Sequence, residues 1–237
     1  FAYYNLVIPT LPLATLLFLI ILIITLYLSL KQESIELALM ALLIAYLAPF
    51  TLPTRDASAV ELISYYLLIN IGVAVLSSFR PWKILNQIAF LVTAVVGGIY
   101  SLIHGYTYER YAMTALILAH SALFIWLGFR FSQLLARQDL SRFQLKPVLD
   151  LALIFAAPIT AYIFLYLIHF NQPNQKLWQA GLSLFFALVF AACWTLLRRK
   201  QTIQLISQSY LSLMLIFLAL VPPILLTEQW SVIGWAV

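Results

Sequence analysis

The sequence has 237 residues, of which 64% are hydrophobic and only 9% are charged, with a formal net charge of +5. Soluble domains carry roughly a quarter of their residues as charges, so this composition excludes a soluble globular protein. Because lipid offers the backbone no hydrogen-bond partners, such a chain must cross a bilayer as helices or as a closed barrel. The apolar runs are continuous and do not alternate, which predicts helices. Cys193 is the only cysteine, which excludes an internal disulfide.

The apolar residues fall into eight segments that we predict to be membrane-spanning helices. A helix needs about 20 apolar residues to cross a hydrocarbon core of roughly 30 Å. We therefore expect an all-α polytopic transmembrane bundle of about eight spans, forming a single region over residues 1–237. The predicted spans are residues 11–30, 35–50, 61–79, 84–103, 110–131, 147–170, 177–197 and 203–226. Because the chain begins at Phe1 and ends inside an apolar stretch, we expect it to be a fragment of a longer multi-span protein.

The basic residues are distributed unevenly between the two sides of this topology. The loops after spans one, three, five and seven, with the helix ends beside them, hold ten of the thirteen basic residues. These ten are Lys31, Arg80, Lys83, Arg130, Arg137, Arg142, Lys146, Arg198, Arg199 and Lys200, and the other side has Arg55, Arg110 and Lys176. Acidic residues divide evenly, so the bias follows the positive-inside rule. We predict that the basic loops are cytoplasmic and that residue 1 lies on the external side.

A few polar residues lie inside the predicted spans, and they form the first candidate site. Asn70 lies near the centre of span three and His120 near the centre of span five, while Gln204 and Gln208 are one helical turn apart on span eight. These side chains can bind a substrate, and His120 can also relay a proton because imidazole titrates near neutral pH. Interhelical hydrogen bonding is the commoner explanation for such residues, and the two glutamines can also reflect the nearby cytoplasmic interface. The sequence leaves these interpretations open.

Carboxylates at the predicted external ends of the spans form a second candidate site. Asp56, Glu61 and Glu109 belong to this group, and carboxylates can serve as general bases. The sequence contains no HExxH pattern, no phosphate-binding glycine loop, no GxSxG elbow and no pair of cysteines. We therefore expect no metal site and no cofactor.

Several runs of residues resemble a known family. They are APFTLP at 48–53, YYLLINIG at 65–72 and RPWKILN at 80–86, followed later by VPP at 221–223 with Trp230 and Trp235. In these runs the chain resembles the large bacterial membrane proteins grouped as domain of unknown function 2339. The resemblance implies a location in the bacterial inner membrane and a longer chain with more spans. It implies no activity, cofactor or catalytic residue.

Three classes of function fit these features. The first is transport or translocation of a cell-envelope component, such as a lipid or a lipid-linked glycan. The second is a membrane scaffold or assembly subunit without catalysis. The third is a membrane-embedded transferase acting on lipid-linked substrates, with Asp56 or Glu61 as its base, although no motif indicates an enzyme. A transporter predicts a cavity that reaches Asn70, His120, or the face of Gln204 and Gln208.

The expected partners follow from the same composition. Membrane lipids must surround the chain, and either a protein partner or further spans of the same chain can pack against it. We expect no nucleic acid partner, because orientation in the membrane already explains the excess of basic residues.

Overall fold

We describe a computed structural model of the chain. It describes residues 11–51, 58–79, 82–104, 109–137, 147–170, 172–199 and 204–226, and within these ranges the regular elements are all helices. The predicted all-α bundle is therefore confirmed. Asp56 lies outside the described residues.

The helices follow the predicted spans closely. They are α1 (Leu11–Gln32), α2 (Ile35–Thr51), α3 (Ala59–Phe79), α4 (Lys83–Val92), a π-helical segment (Thr93–Gly97), α5 (Gly98–Ile103), α6 (Arg110–Arg137), α7 (Pro147–Ile168), α8 (Gln175–Leu197), α9 (Gln204–Ala219) and α10 (Val221–Leu225). The π segment joins α4 and α5 into one rod, because the flanking residues on both sides keep helical backbone angles.

Most boundaries agree with the prediction to within two residues, and the larger differences are at the ends of α6 and α9. Helix α6 continues to Arg137 rather than ending at residue 131, because residues 132–137 include no Gly or Pro. Helix α7 ends at Ile168, two residues before the predicted limit. The last predicted span is divided between α9 and α10, whose second and third residues are Pro222 and Pro223. Proline has no backbone N–H for a helical hydrogen bond, so it favours a new helix start at this point.

Five helical stretches are long and apolar enough to cross a membrane by length and composition: Ala59–Phe79, Lys83–Ile103, Arg110–Arg130, Gln175–Leu197 and Ile206–Leu225. Three further apolar helical stretches are shorter over the residues whose side chains the structure describes: Leu17–Gln32, Ile35–Phe50 and Leu153–Ile168. A membrane bundle is thus confirmed, and the count of eight spans stays a prediction.

The buried side chains form two large cores. The first is built mainly from α2, α3 and α4, and the aromatic rings of Tyr46 and Tyr66 meet edge to face in it, with their centroids 4.9 Å apart. The second is built from α7, α8 and α9, where Phe186 stacks on Phe217 with centroids 5.0 Å apart. Such aromatic pairs stabilise packing beyond the area that they bury. Helices α6 and α7 contribute side chains to both cores, so they lie between them.

Two adjacent glycines let neighbouring helices approach the π segment closely. A Cβ atom at Gly97 would lie 2.8 Å from Cδ1 of Ile63, and one at Gly98 would lie 2.6 Å from Cζ of Phe164. Small residues are common where membrane helices make such close contacts. Gly97 and Gly98 therefore allow α3 and α7 to pack directly against this rod.

Candidate functional site

Asn70 lies at the centre of a buried hydrogen-bond network that joins three helical segments. Its Oδ1 accepts a short hydrogen bond from the hydroxyl of Tyr46 on α2, and its Nδ2 donates to Oγ1 of Thr93 at 2.9 Å. The Tyr66 hydroxyl donates to the backbone carbonyl of Tyr46 at 3.3 Å. Both ends of the Asn70 amide are thus used between helices, which fits the interhelical bonding interpretation of this residue.

The network meets a cavity at Thr93, where the π segment begins. A π turn places one extra residue in the helix, and such turns are frequent at functional sites. Thr93 accepts the hydrogen bond from Asn70, and its side chain also lines the cavity. The neighbouring residue, Ala94, lines the cavity as well. Asn70 therefore does not line the cavity itself but holds one of its wall residues in place.

The cavity lies between α3, the α4–α5 rod, α6 and α7, and it has a volume of about 80 Å³. Its walls are mostly apolar, with Phe90, Phe124 and Phe164 as the largest side chains. The polar side chains among its lining residues are Thr93, Ser101, His120, Ser121 and Thr160. An apolar cavity of this size is smaller than a typical pocket for a whole ligand, but it can hold a small apolar group such as a segment of an acyl chain.

His120 is buried in the wall of this cavity, with 7% of its surface exposed. Its Nδ1 is 2.9 Å from the backbone carbonyl oxygen of Leu116, which can only accept, so Nδ1 carries the hydrogen. In the neutral ring Nε2 is then an acceptor, and it has no hydrogen-bond partner among the described residues. The buried Oγ of Ser121, the next residue, also has none there. Two residues of the lining thus carry a buried acceptor and a buried hydroxyl that have no partner among the described residues, near the middle of α6.

Glu61 and Glu109, the two candidate carboxylates among the described residues, do not line this cavity. Glu61 forms a reciprocal cap with Ser58, in which Oε2 of Glu61 accepts from the Ser58 N–H at 2.9 Å and the Ser58 Oγ accepts from the Glu61 N–H at 3.2 Å. This pairing is a capping box that starts α3. Glu109 is exposed just before α6, where its backbone carbonyl accepts from the Met113 N–H at 2.9 Å. The described contacts of both residues are those of helix ends.

Gln204 and Gln208 lie on the exposed side of α9, away from the cavity walls. The Ser212 hydroxyl donates to the backbone carbonyl of Gln208 at 3.0 Å, and Ser212 is also exposed. The structure therefore separates these two glutamines from His120, and of the predicted polar residues only His120 lines the cavity while Asn70 supports its wall.

Sequence reasoning missed several residues of this site. Ser121 follows His120 directly, and Thr93 lies opposite Asn70, but serine and threonine are common in membrane helices and drew no attention. Tyr46 could not be identified either, because an isolated tyrosine in an apolar span is usually an interface anchor. We found no group of three or more metal-ligating side chains within the described ranges.

Residues 1–237 match the profile of a protein family described as "Predicted membrane protein (DUF2339)". This match covers the whole chain and confirms the resemblance that its sequence runs indicated. No curated protein matches the chain, and no solved structure matches it.

Proposed function

This chain belongs to the DUF2339 family of predicted membrane proteins, and we propose that it transports or translocates a component of the bacterial cell envelope across the inner membrane. The component is a lipid or a lipid-linked glycan. The observation that carries the proposal is the apolar cavity between α3, the α4–α5 rod, α6 and α7, whose lining residues include His120 and Ser121 with their unused polar atoms.

The chemistry of the cavity suits an amphipathic substrate. Its apolar walls can replace the lipid environment of an acyl chain. Nε2 of His120 and Oγ of Ser121 are buried beside the cavity without partners among the described residues, and a rotation of either side chain would let it bond to a polar headgroup. Leaving a buried polar group without a hydrogen bond costs about 1–3 kcal/mol of folding free energy. These two residues therefore reduce stability unless a bound molecule supplies the missing hydrogen bonds. A polar headgroup that crosses the membrane centre loses its hydrogen bonds to water. Hydrogen bonds to His120 and Ser121 would offset this cost, which a purely apolar path cannot do.

The proposed orientation places the basic loops in the cytoplasm and Glu109 outside. In a Cys193→Ser background, we expect Glu109→Cys to react with a membrane-impermeant maleimide in intact spheroplasts, because this residue is exposed before α6. Arg199→Cys, exposed after α8 on the basic side, should react only after permeabilisation. The opposite labelling pattern would reverse the orientation.

Filling the cavity should block translocation. Thr160 lines the cavity, and the adjacent Ile159 points away from it with 40% of its surface exposed. We expect the Thr160→Phe variant of the full-length protein, reconstituted in vesicles, to slow the translocation of a fluorescent phosphatidylglycerol by about tenfold or more, because the added ring occupies the space that the substrate would use. Dithionite quenching of the outer-leaflet fluorescence measures the rate.

Ile159→Phe is the matched control, because it adds a similar ring on the side that does not face the cavity. It should translocate at the native rate. Equal rates in the two variants would contradict a path through the cavity. Absence of translocation by the native protein, together with copurification of a partner, would favour the scaffold instead.

A further inference from the structure

Two cationic or titratable side chains lie just beyond the outer end of the cavity. On α6, Met113 and Ile117 line the cavity, and Arg110 lies one turn before Met113 on the same side of the helix. On α7, Ile168 lines the cavity and His169 follows it directly. The same end is closed by apolar contacts that include Met113 and Ile168.

Thr114 ties these two residues together. Its hydroxyl donates to the backbone carbonyl of Arg110 at 2.8 Å, and the same oxygen is 3.1 Å from Nε2 of His169. The imidazole of His169 also stacks on the indole of Trp178 from α8, with ring centroids 4.8 Å apart. The ring of His169 is therefore held in one position beside the start of α6.

The electrostatics of this cluster are unbalanced. His169 lies beyond the last residue of α7, and its pKa is below the ordinary value because the ring is buried and because the guanidinium of Arg110 is close by. The Nε of Arg110 is itself buried without a hydrogen-bond partner in the part of the chain that the structure describes. The first backbone N–H groups of α6 add to the positive potential. An anion bound here would offset the charge of the Arg110 guanidinium and accept hydrogen bonds from it.

The distance along α6 matches the dimensions of a lipid. Arg110 and His120 are ten residues apart, which corresponds to about 15 Å of helix rise, or roughly half the thickness of a hydrocarbon core. A phosphate at Arg110 would therefore lie at headgroup level while the attached acyl chain follows the apolar walls towards His120.

We propose that Arg110 binds the phosphate of a phospholipid whose acyl chain enters the cavity, with His169 held beside it through Thr114 as a positioning residue. This inference rests on the proposed function and specifies its substrate as a phosphate-bearing lipid. Arginine binds phosphate oxygens through charge-assisted hydrogen bonds, which are about twice as strong as neutral ones. The headgroup site would receive the lipid from the outer leaflet or release it there.

Native mass spectrometry of the full-length protein tests the site. The protein is titrated with phosphatidylglycerol, with diacylglycerol of the same acyl chains, and with water-soluble glycerol phosphate. We expect phosphatidylglycerol to bind most tightly, and Arg110→Gln to weaken its binding by about tenfold while leaving diacylglycerol unaffected. Lys176→Gln is the matched control, because it removes an exposed positive charge at the start of α8 on the same predicted side. It should change neither affinity appreciably.

The outcomes separate the two proposals. If Arg110→Gln and Lys176→Gln weaken phosphatidylglycerol equally, the cluster is not a headgroup site. Glycerol phosphate binding as tightly as phosphatidylglycerol would assign the cluster to a free phosphate and overturn the lipid. If Thr160→Phe weakens the binding of both lipids while Arg110→Gln weakens the binding of neither, the result supports the cavity and contradicts the headgroup site. Should Arg110→Gln act alone, the headgroup site stands without the proposed cavity path.

Discussion

Replacing Tyr46 by alanine is expected to destabilise the protein by about 3–5 kcal/mol, the range for removing a large aromatic ring from a packed core. The ring is 2% exposed and meets Tyr66 edge to face. Its hydroxyl is a partner of Asn70 Oδ1, so the substitution leaves a void and an amide oxygen that has lost this donor. Both effects act on the first core, where α2, α3 and α4 meet.

Unfolding in mixed micelles with increasing sodium dodecyl sulfate measures this loss, with helical circular dichroism as the signal. Tyr46→Phe keeps the ring and removes only the hydroxyl, so it should cost about 1–3 kcal/mol. Leu47→Ala provides the matched control, because Leu47 is the next residue and is 57% exposed. A Tyr46→Ala variant no less stable than Leu47→Ala would contradict the role of the network.

Replacing His120 by leucine should abolish most translocation without lowering stability. Leucine fills a similar volume and needs no hydrogen bond, so the protein loses an unpaired buried acceptor and can gain up to about 1–3 kcal/mol of stability. The same substitution removes the acceptor that we assign to the passing headgroup, and we expect the translocation rate to fall by about tenfold or more. The vesicle assay and the micelle unfolding experiment report the two effects separately.

Ser183→Ala is the contrasting control. Ser183 is buried on α8, where its hydroxyl is 3.0 Å from both the Tyr162 hydroxyl and the backbone carbonyl of Gln179. Its loss should reduce stability and leave the rate unchanged. If His120→Leu behaves like Ser183→Ala, His120 is a structural residue and the mid-membrane site is wrong.

Much of the fold was predictable because hydropathy alone determines where helices can cross a membrane. The spans, their turns and the family were read from apolar runs and from a few motif residues. The reciprocal cap of Ser58 and Glu61 was also readable, since the S-x-x-E pattern at the start of an apolar run is a known helix signal. This pattern indicates a capping role for Glu61 and not only a possible role as a base.

The partners of the buried polar residues could not be predicted from the sequence. Asn70 was identified, but Tyr46 and Thr93 lie 24 and 23 residues away, and their meeting depends on how three helices pack. The cavity also borders the π turn at 93–97, beside which Gly97 and Gly98 come close to side chains of other helices. Such contacts are tertiary, so no local pattern reports them.

The division of the buried side chains into two cores has a mechanical consequence. The cavity is bordered by α3 and the α4–α5 rod on one side and by α6 and α7 on the other, and α7 continues into the second core. The two sides are nevertheless joined, because Phe124 of α6 and Ala157 of α7 belong to the first core and Phe90 of α4 meets Phe124 edge to face, with centroids 5.4 Å apart. Widening the cavity therefore means separating side chains of that core, so we expect its opening to carry an energetic cost that a gap between two independent bodies would not have.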